Sequence, residues 1–286
     1  MRTTHIRFRN QRPRLCLTFD VEEWVLPEEY GLESQHNRSV AFADEGCRAL
    51  LELLRSYNIH ATFFVTGYVA ERAAGLVKAL SDAGHEIASH TYTHIDLTKC
   101  KREELRSVIG KSAEILSGII GRKIKGFRAP RLYINTEVIE VLMELGFQYD
   151  SSVHPAIVPG HYYRWRDSLV PYFFESPSSG ARILEIPLSV IPLIRFPISW
   201  WWMRNIGSWL TRFGTDVHLR RNRDAVLYFH TWEYAHLPRV KGLPAHLVRG
   251  CGDAFSDSLR KFIERYTQSF SFTTLRELSD ECYAAT

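Results

Sequence analysis

Asp20 and Glu22 stand two residues apart at the end of Leu15-Cys16-Leu17-Thr18-Phe19-Asp20-Val21-Glu22-Glu23-Trp24, and His90 and His94 stand four apart in Ser89-His90-Thr91-Tyr92-Thr93-His94. Side chains alternate along a strand, so a strand ending here projects both acids to one side and Val21 to the other. Like charges at that separation repel, and they ask for a cation or a proton between them. The i, i+4 spacing would put both imidazoles on one helical face. Joined to a strand-end carboxylate, they make a facial site of two nitrogens and one oxygen with positions open to water and substrate. Such a site suits metal-assisted hydrolysis. Glu22 is the favoured third ligand because it shares Asp20's side, with Glu23 as the alternative. Taken singly, each feature has an ordinary explanation, since HxxxH arises by chance on surface helices and acids at strand ends are often merely solvated.

The elements that must position these groups are legible in the hydrophobic pattern. An apolar run of β-type residues that stops at carboxylates suits a buried parallel strand opening onto the mouth of an α/β sheet or barrel. Downstream, Asp44 opens a helix with leucines at 50, 51, 53 and 54, followed by a strand at 60–65, a helix at 69–83 closed by Gly84, and a strand at 86–90. A helix at 102–116, a strand at 124–127, a helix at 136–145 closed by Gly146 and a strand at 147–149 continue the alternation. This predicts parallel β/α units in one domain, 14–286, with no glycine-rich phosphate loop. The regularity breaks after Asp150. Residues 151–222 read as an insertion at the barrel mouth, rich in proline and tryptophan, with a strand at 183–186 and a helix at 203–213. A buried strand at 225–230, a helix at 255–266 and a closing strand at 270–274 complete the chain.

Composition narrows the class. The 286 residues are 45% hydrophobic, enough for a full core, and a thinly spread net charge of +4 argues against nucleic acid as a partner. Five cysteines without a CxxC suggest neither a disulfide framework nor a structural zinc cluster, and fit a reducing compartment. The first fourteen residues, interrupted by arginines, hold no apolar stretch suited to a signal peptide, so the expected location is cytoplasmic. Residues 183–213 are apolar but broken by Pro187, Pro192, Arg195, Pro197 and Arg204, too often to span a bilayer. Trp200, Trp201, Trp202 and Trp209, flanked by Arg195, Arg204 and Arg212, have the aromatic and basic mixture of a surface in peripheral contact with lipid headgroups. An aromatic subcore or a sugar-stacking wall would use the same residues.

Thr18-Phe19-Asp20, the His90 to His94 pair, Phe127-Arg128-Ala129-Pro130, Asp150-Ser151-Ser152 and Leu227-Tyr228-Phe229-His230 follow one another in the order of five family motifs. By them the chain resembles the polysaccharide deacetylase family, also called the NodB homology domain or carbohydrate esterase family 4, from about residue 14 to its end. The resemblance implies a distorted (β/α) barrel of about seven strands, here with an aromatic-rich insertion before the last motif. It implies metal-dependent removal of an N-acetyl group from an N-acetylated sugar such as N-acetylglucosamine, carried on a polysaccharide, a lipid or a nucleotide. Carried over residue by residue, Asp20 is the base, and His90 and His94 hold a divalent metal with Glu22. Zinc is the expected ion, with cobalt, manganese and nickel as alternatives. His230 protonates the departing amine, the backbone N–H of Arg131 receives the oxyanion, Arg128 neutralises and orients Asp20, and Asp150 pairs with His230. Tyr92, Trp24 and Trp232 are candidates for stacking on sugar rings, with core packing as the equal alternative.

The commonest family pattern has two adjacent aspartates where this chain has Asp-Val-Glu-Glu-Trp. That spacing, Glu185-Ile186-Pro187-Leu188-Ser189 and His230-Thr231-Trp232-Glu233-Tyr234 resemble the subgroup found in bacterial exopolysaccharide and PEP-CTERM sorting gene clusters, whose glycine run is replaced here by Ser199-Trp200-Trp201-Trp202. Three alternatives follow: deformylation of a formamido sugar, opening of a cyclic amide, or glycan binding without catalysis, the last motivated by Glu22.

Overall fold

The computed structural model describes residues 2–5, 12–158, 162–163, 166–177, 179–198 and 200–285. Seven parallel strands form its centre: β1 (Arg14–Val21), β2 (Thr62–Val65), β3 (Glu86–Ser89), β4 (Gly126–Phe127), β5 (Tyr149–Asp150), β6 (Arg182–Glu185) and β7 (Ala225–His230). Their spatial order is β7-β1-β2-β3-β4-β5-β6, and strands Tyr172–Glu175 and Arg2–His5 extend the β6 side antiparallel. Every residue of β1 is buried, as a central parallel strand covered on both faces must be. Phe19 stacks on Phe63 of β2 and Phe229 of β7, with ring centroids 5.1 and 5.7 Å away.

The ring is closed by a single residue. Ser189, downstream of β6, donates its N–H to the Val226 carbonyl at 2.9 Å and accepts the Val226 N–H on its hydroxyl at 2.8 Å. This makes the barrel a distorted one. The strand expected at 270–274 does not close it: Ser271–Phe272 pairs with Arg14 and Leu15, at the end of β1 remote from the carboxylates. Residue 69–83 is two helices, Gly67–Arg72 and Ala74–Asp82, parted at Ala73, and the first is capped by the Thr66 hydroxyl. The helix expected at 102–116 runs from Arg102 to Ile120, where Gly121 at φ +68° supplies the left-handed cap. The helix expected at 203–213 is likewise two, Trp200–Asn205 and Ser208–Arg220, parted by Gly207 at φ +115°.

Two contacts tie the scaffold to the strand ends. A Cβ on Gly46, in helix Ala41–Ser56, would lie 1.8 Å from the Thr231 carbonyl oxygen, so only glycine lets this helix seat the turn after β7. His85 leads into β3 from the opposite end. It is buried, and its Nδ1 accepts the Ala61 N–H at 3.2 Å. Burial, helped by the neighbouring His60, pushes its pKa down from 6.5 to about 4. The folded state therefore favours neutral His85. Its contribution is fully present above pH 6.5 and lost as pH falls from 6.5 toward 4, about 1.4 kcal/mol per pH unit and about 3 kcal/mol in all. Urea unfolding across that range is expected to show a shallower pH slope in His85→Asn, which keeps an acceptor and removes the titration.

Candidate active site

Asp20 lies near the carboxyl end of β1, directly opposite His230 at the end of β7. Arg128, immediately after β4, is wholly buried and donates from Nη1 to Asp20 Oδ1 at 2.8 Å and to the Thr18 hydroxyl at 2.9 Å. Its Nε donates to the Ser151 carbonyl at 3.0 Å, and its Nη2 meets the Ser151 hydroxyl at 3.2 Å. A guanidinium spread over three strands fixes the carboxylate beside it by a charge-assisted hydrogen bond. The pairing of Arg128 with Asp20 expected from the motifs is therefore present.

The expected pairing of Asp150 with His230 is absent among the described residues. Asp150 lies in register with Glu185 of β6 and accepts the Ser152 hydroxyl at 2.6 Å, and Ser152 in turn accepts the Ala129 N–H at 2.8 Å. Burial raises the Asp150 pKa against the hydrogen bonds from Glu185 and Ser152. The Asp150-Ser151-Ser152 motif thus positions Arg128 and Ala129. β5 pairs with β4 and β6 and not with β7, which sets Asp150 beside Glu185.

Glu22, His90 and His94 each offer a ligand atom, all within 4.8 Å of one another. His90 and His94 are not on a helix: residues 90–94 form an irregular turn after β3, with Thr91 at φ +59°. The turn still brings His94 Nε2 to 3.1 Å and His90 Nε2 to 3.5 Å from Glu22 Oε2. His90 Nδ1 lies 2.8 Å from the Arg128 carbonyl, which assigns the proton to Nδ1 and leaves the Nε2 lone pair facing the cluster. Trp232 donates its indole N–H to Glu22 Oε1 at 3.1 Å, while Glu22 Oε2 and His90 Nε2 are buried with no hydrogen-bond partner. Glu22 Oε2, His90 Nε2 and His94 Nε2 converge on one point, a donor set that fits a divalent cation.

Glu22, and not Glu23, stands in this cluster. Glu23 accepts the Thr66 hydroxyl at 3.0 Å and the His94 N–H at 3.2 Å, so it shapes the turn and faces away from the cluster. Burial opposes ionisation of Glu22, but His94, His230 and His90 outweigh it and hold the carboxyl well below the usual carboxylate range. Burial would likewise lower the His94 pKa, yet Glu22 and Glu29 push it up to about 9. Glu29 sits 3.4 Å from His94 Nδ1 and is itself held by the Arg131 guanidinium at 2.6 Å. Arg131, the residue expected to offer an oxyanion N–H, takes φ +55°, a strained conformation at the rim of this cluster.

His230 stacks on Trp232 with ring centroids 5.0 Å apart and meets the edge of Trp200 at 4.8 Å. Its Nδ1 lies 3.6 Å from Glu233 Oε2, and Glu233 Oε1 is 3.0 Å from Arg204 Nε. Burial would lower the His230 pKa, but Glu22, Glu233 and Asp20 reverse this and raise it. An Arg204–Glu233–His230 relay of ion pairs therefore stands where the Asp150 pairing was expected. Glu233 stood inside the motif-bearing segment but carried no spacing signal, and Arg204 comes from a distant helix, so no local pattern joined them.

The three proposed stacking residues are otherwise engaged. Trp24 is buried edge-on against Phe42, and Trp232 orients Glu22 and His230. Tyr92 bonds Glu71 through its hydroxyl at 2.7 Å and carries Lys111 Nζ 3.6 Å above its ring. Open aromatic surface lies instead in a cavity of about 380 Å³ beside His230, walled by Trp200, Trp201, Trp202, Tyr228, Tyr30 and His154.

The fold and site together define a distorted (β/α) barrel that gathers Asp20, His230 and a candidate metal centre at its strand ends. Residues 9–149 match the family model described as polysaccharide deacetylase, and residues 151–280 match one described as a domain of unknown function (DUF3473). Over residues 9–149 the chain is similar to the polysaccharide deacetylase family. It is 31% identical over 162 residues to a peptidoglycan deacetylase of Helicobacter pylori, covering 56% of this chain and 52% of that protein. A peptidoglycan-N-acetylglucosamine deacetylase of Bacillus cereus is 34% identical over 114 residues, 37% of this chain and 42% of its own length. The chain thus spans about half the length of these relatives. Among solved structures, a putative polysaccharide deacetylase from Mycobacterium smegmatis superposes with a TM-score of 0.68 at 21% identity, covering 98% of this chain and 93% of that one. The Puue allantoinase gives 0.67 at 20% identity, covering 96% and 91%. These likenesses concern the fold.

Proposed function

We propose that the chain is a metal-dependent hydrolase that removes the N-acetyl group from an N-acetylated sugar. The observation that carries this reading is the Glu22, His90 and His94 cluster beside an Asp20 that lies in register with His230. A divalent ion, zinc in this reading, would be held by those three side chains and would polarise the acetyl carbonyl and acidify water. Asp20, aimed by Arg128, takes the proton of the attacking water. The Arg131 N–H at the rim donates to the oxyanion. His230, protonated through Glu22 and Glu233, gives its proton to the departing amine. The aromatic cavity receives the rest of the glycan, and stacking there suits the apolar faces of a pyranose. The named activities of the relatives, on peptidoglycan and chitooligosaccharides, support an N-acetylated glycan as the substrate class.

Metal content by mass spectrometry, with acetate release from N-acetylated oligosaccharides in the same samples, tests the reading. Wild type is expected to hold stoichiometric metal and release acetate, and His90→Ala/His94→Ala to do neither. Metal without acetate would move the proposal to a formyl or cyclic-amide substrate, and no metal after reconstitution would sink it.

The relay gives a pH prediction. An acid must be protonated to act, so activity falls as pH rises through the His230 pKa. Glu233→Gln removes one of the charges that raise that pKa while keeping the hydrogen-bonding shape. The alkaline limb of the pH–rate profile is expected to move to lower pH, with the acidic limb unchanged.

A further inference from the structure

The insertion carries an outcrop that the barrel does not use. Among the described residues, Leu193 (87% exposed), Ile194 (61%), Ile206 (44%), Trp209 (57%) and Phe213 (53%) fall within residues 193–213, and the other exposed large hydrophobics are Tyr30 and Tyr133. Helix Ser208–Arg220 turns Leu210, Thr211, Gly214, Thr215 and His218 inward, where His218 Nε2 meets the Val190 carbonyl at 3.0 Å. That rotation sends Trp209 and Phe213, four residues apart, to the opposite face. Leu193 and Ile194 occupy the turn between strands Val190–Ile191 and Phe196–Pro197 of the same subdomain.

Charge singles out the occupant. Residues 193–223 contain six arginines and one acid, Asp216, in a chain whose total net charge is +4. Asp216 is engaged by Arg265 and Tyr266, and Arg204 is buried on Glu233. Arg212 and Arg220 lie in this helix and Arg221 and Arg223 just past its end, with no further acid in the segment. Scattered exposed apolar residues are ordinary, but five large ones in one subdomain under a single sign of charge are not. A second copy of this chain would set arginines against arginines. An anionic bilayer supplies both an apolar phase for tryptophan, phenylalanine and leucine and phosphates for the guanidiniums.

We propose that the turn at Leu193 and Ile194 and the outward face of Ser208–Arg220 form a docking surface for an anionic lipid bilayer. The surface is distinct from the Trp200, Trp201 and Trp202 cavity wall, and lipid binding there does not depend on which acyl group the barrel removes. Among the described residues no helix is long and apolar enough to cross a membrane, so the contact is peripheral.

Co-sedimentation of the full chain with vesicles tests this. The chain is expected to sediment with phosphatidylglycerol–phosphatidylcholine vesicles and to remain in solution with phosphatidylcholine alone, and added salt should release it. Trp209→Ser/Phe213→Ser and Arg220→Gln/Arg221→Gln should each lower the partition coefficient by about tenfold or more. Unchanged circular dichroism and thermal midpoint in these surface variants would separate lost docking from lost folding. Absence of binding to either vesicle, or variants that bind like wild type, would overturn the proposal. So would a concentration-dependent dimer in sedimentation equilibrium that the Trp209/Phe213 variant abolishes while vesicles bind nothing. The readout is lipid binding, so a failed acetate assay leaves this test intact.

Discussion

Asp20→Asn is expected to lower kcat for acetate release by about 10²–10⁴-fold, the range that a positioned general base contributes, with metal content unchanged. The asparagine oxygen can still accept the Arg128 N–H that Asp20 Oδ1 accepts at 2.8 Å, so the site keeps its shape and loses its proton acceptor. Asp20 Oδ2 stands 4.0 Å from His90 Nε2, farther than Glu22 at 3.5 Å, which is why Asp20 is assigned to the proton and Glu22 to the ion. Acetate release and metal content measured on one preparation check the assignment. Loss of metal together with activity would make Asp20 a ligand, and activity within tenfold of wild type would remove it from the base role.

Arg128→Met should be the most damaging single change to stability near the site, about 3–5 kcal/mol, the cost of breaking a buried pair by deleting one partner. Methionine fills much of the volume over Phe64, whose ring lies 4.1 Å below the guanidinium, but it leaves Asp20, the Thr18 hydroxyl and the Ser151 carbonyl without their donor. Adding Asp20→Asn to Arg128→Met is expected to recover part of that loss, because the remaining side chain is then neutral. A double-mutant cycle by urea unfolding measures the coupling. A single-variant cost below about 1 kcal/mol would mean that water, and not Arg128, stabilises Asp20.

The parts of the fold that were legible were those written in local periodicity. β7 was placed to the residue because a continuous apolar run has few other ways to be buried. The two helices at 69–83 were not separated, because Ala73 is a good helix former and only its tertiary setting holds it at φ −136°. The same division runs through the site. Asp20, Glu22, Arg128 and His230 were legible because strand ends and motif order confine them to one rim. The histidine pair was found through the wrong geometry: four residues of spacing suggested a helix, and a turn around Thr91 achieves the same meeting.

What the sequence by itself determined is the set of strand-end groups and the mouth that they face, because alternation along β1 and the parallel order of β/α units leave them few other places to go. What only the tertiary structure decided is how those groups are partnered. Glu233 and Arg204, rather than Asp150, act on His230; Glu23 serves the turn and Glu22 the cluster; and Trp200, Trp201 and Trp202 line a cavity, leaving Trp209 and Phe213 outside. Each of these depends on strand order and on how the segment between β6 and β7 packs against the barrel. Such contacts join residues far apart in the chain, and neither local spacing nor propensity encodes them.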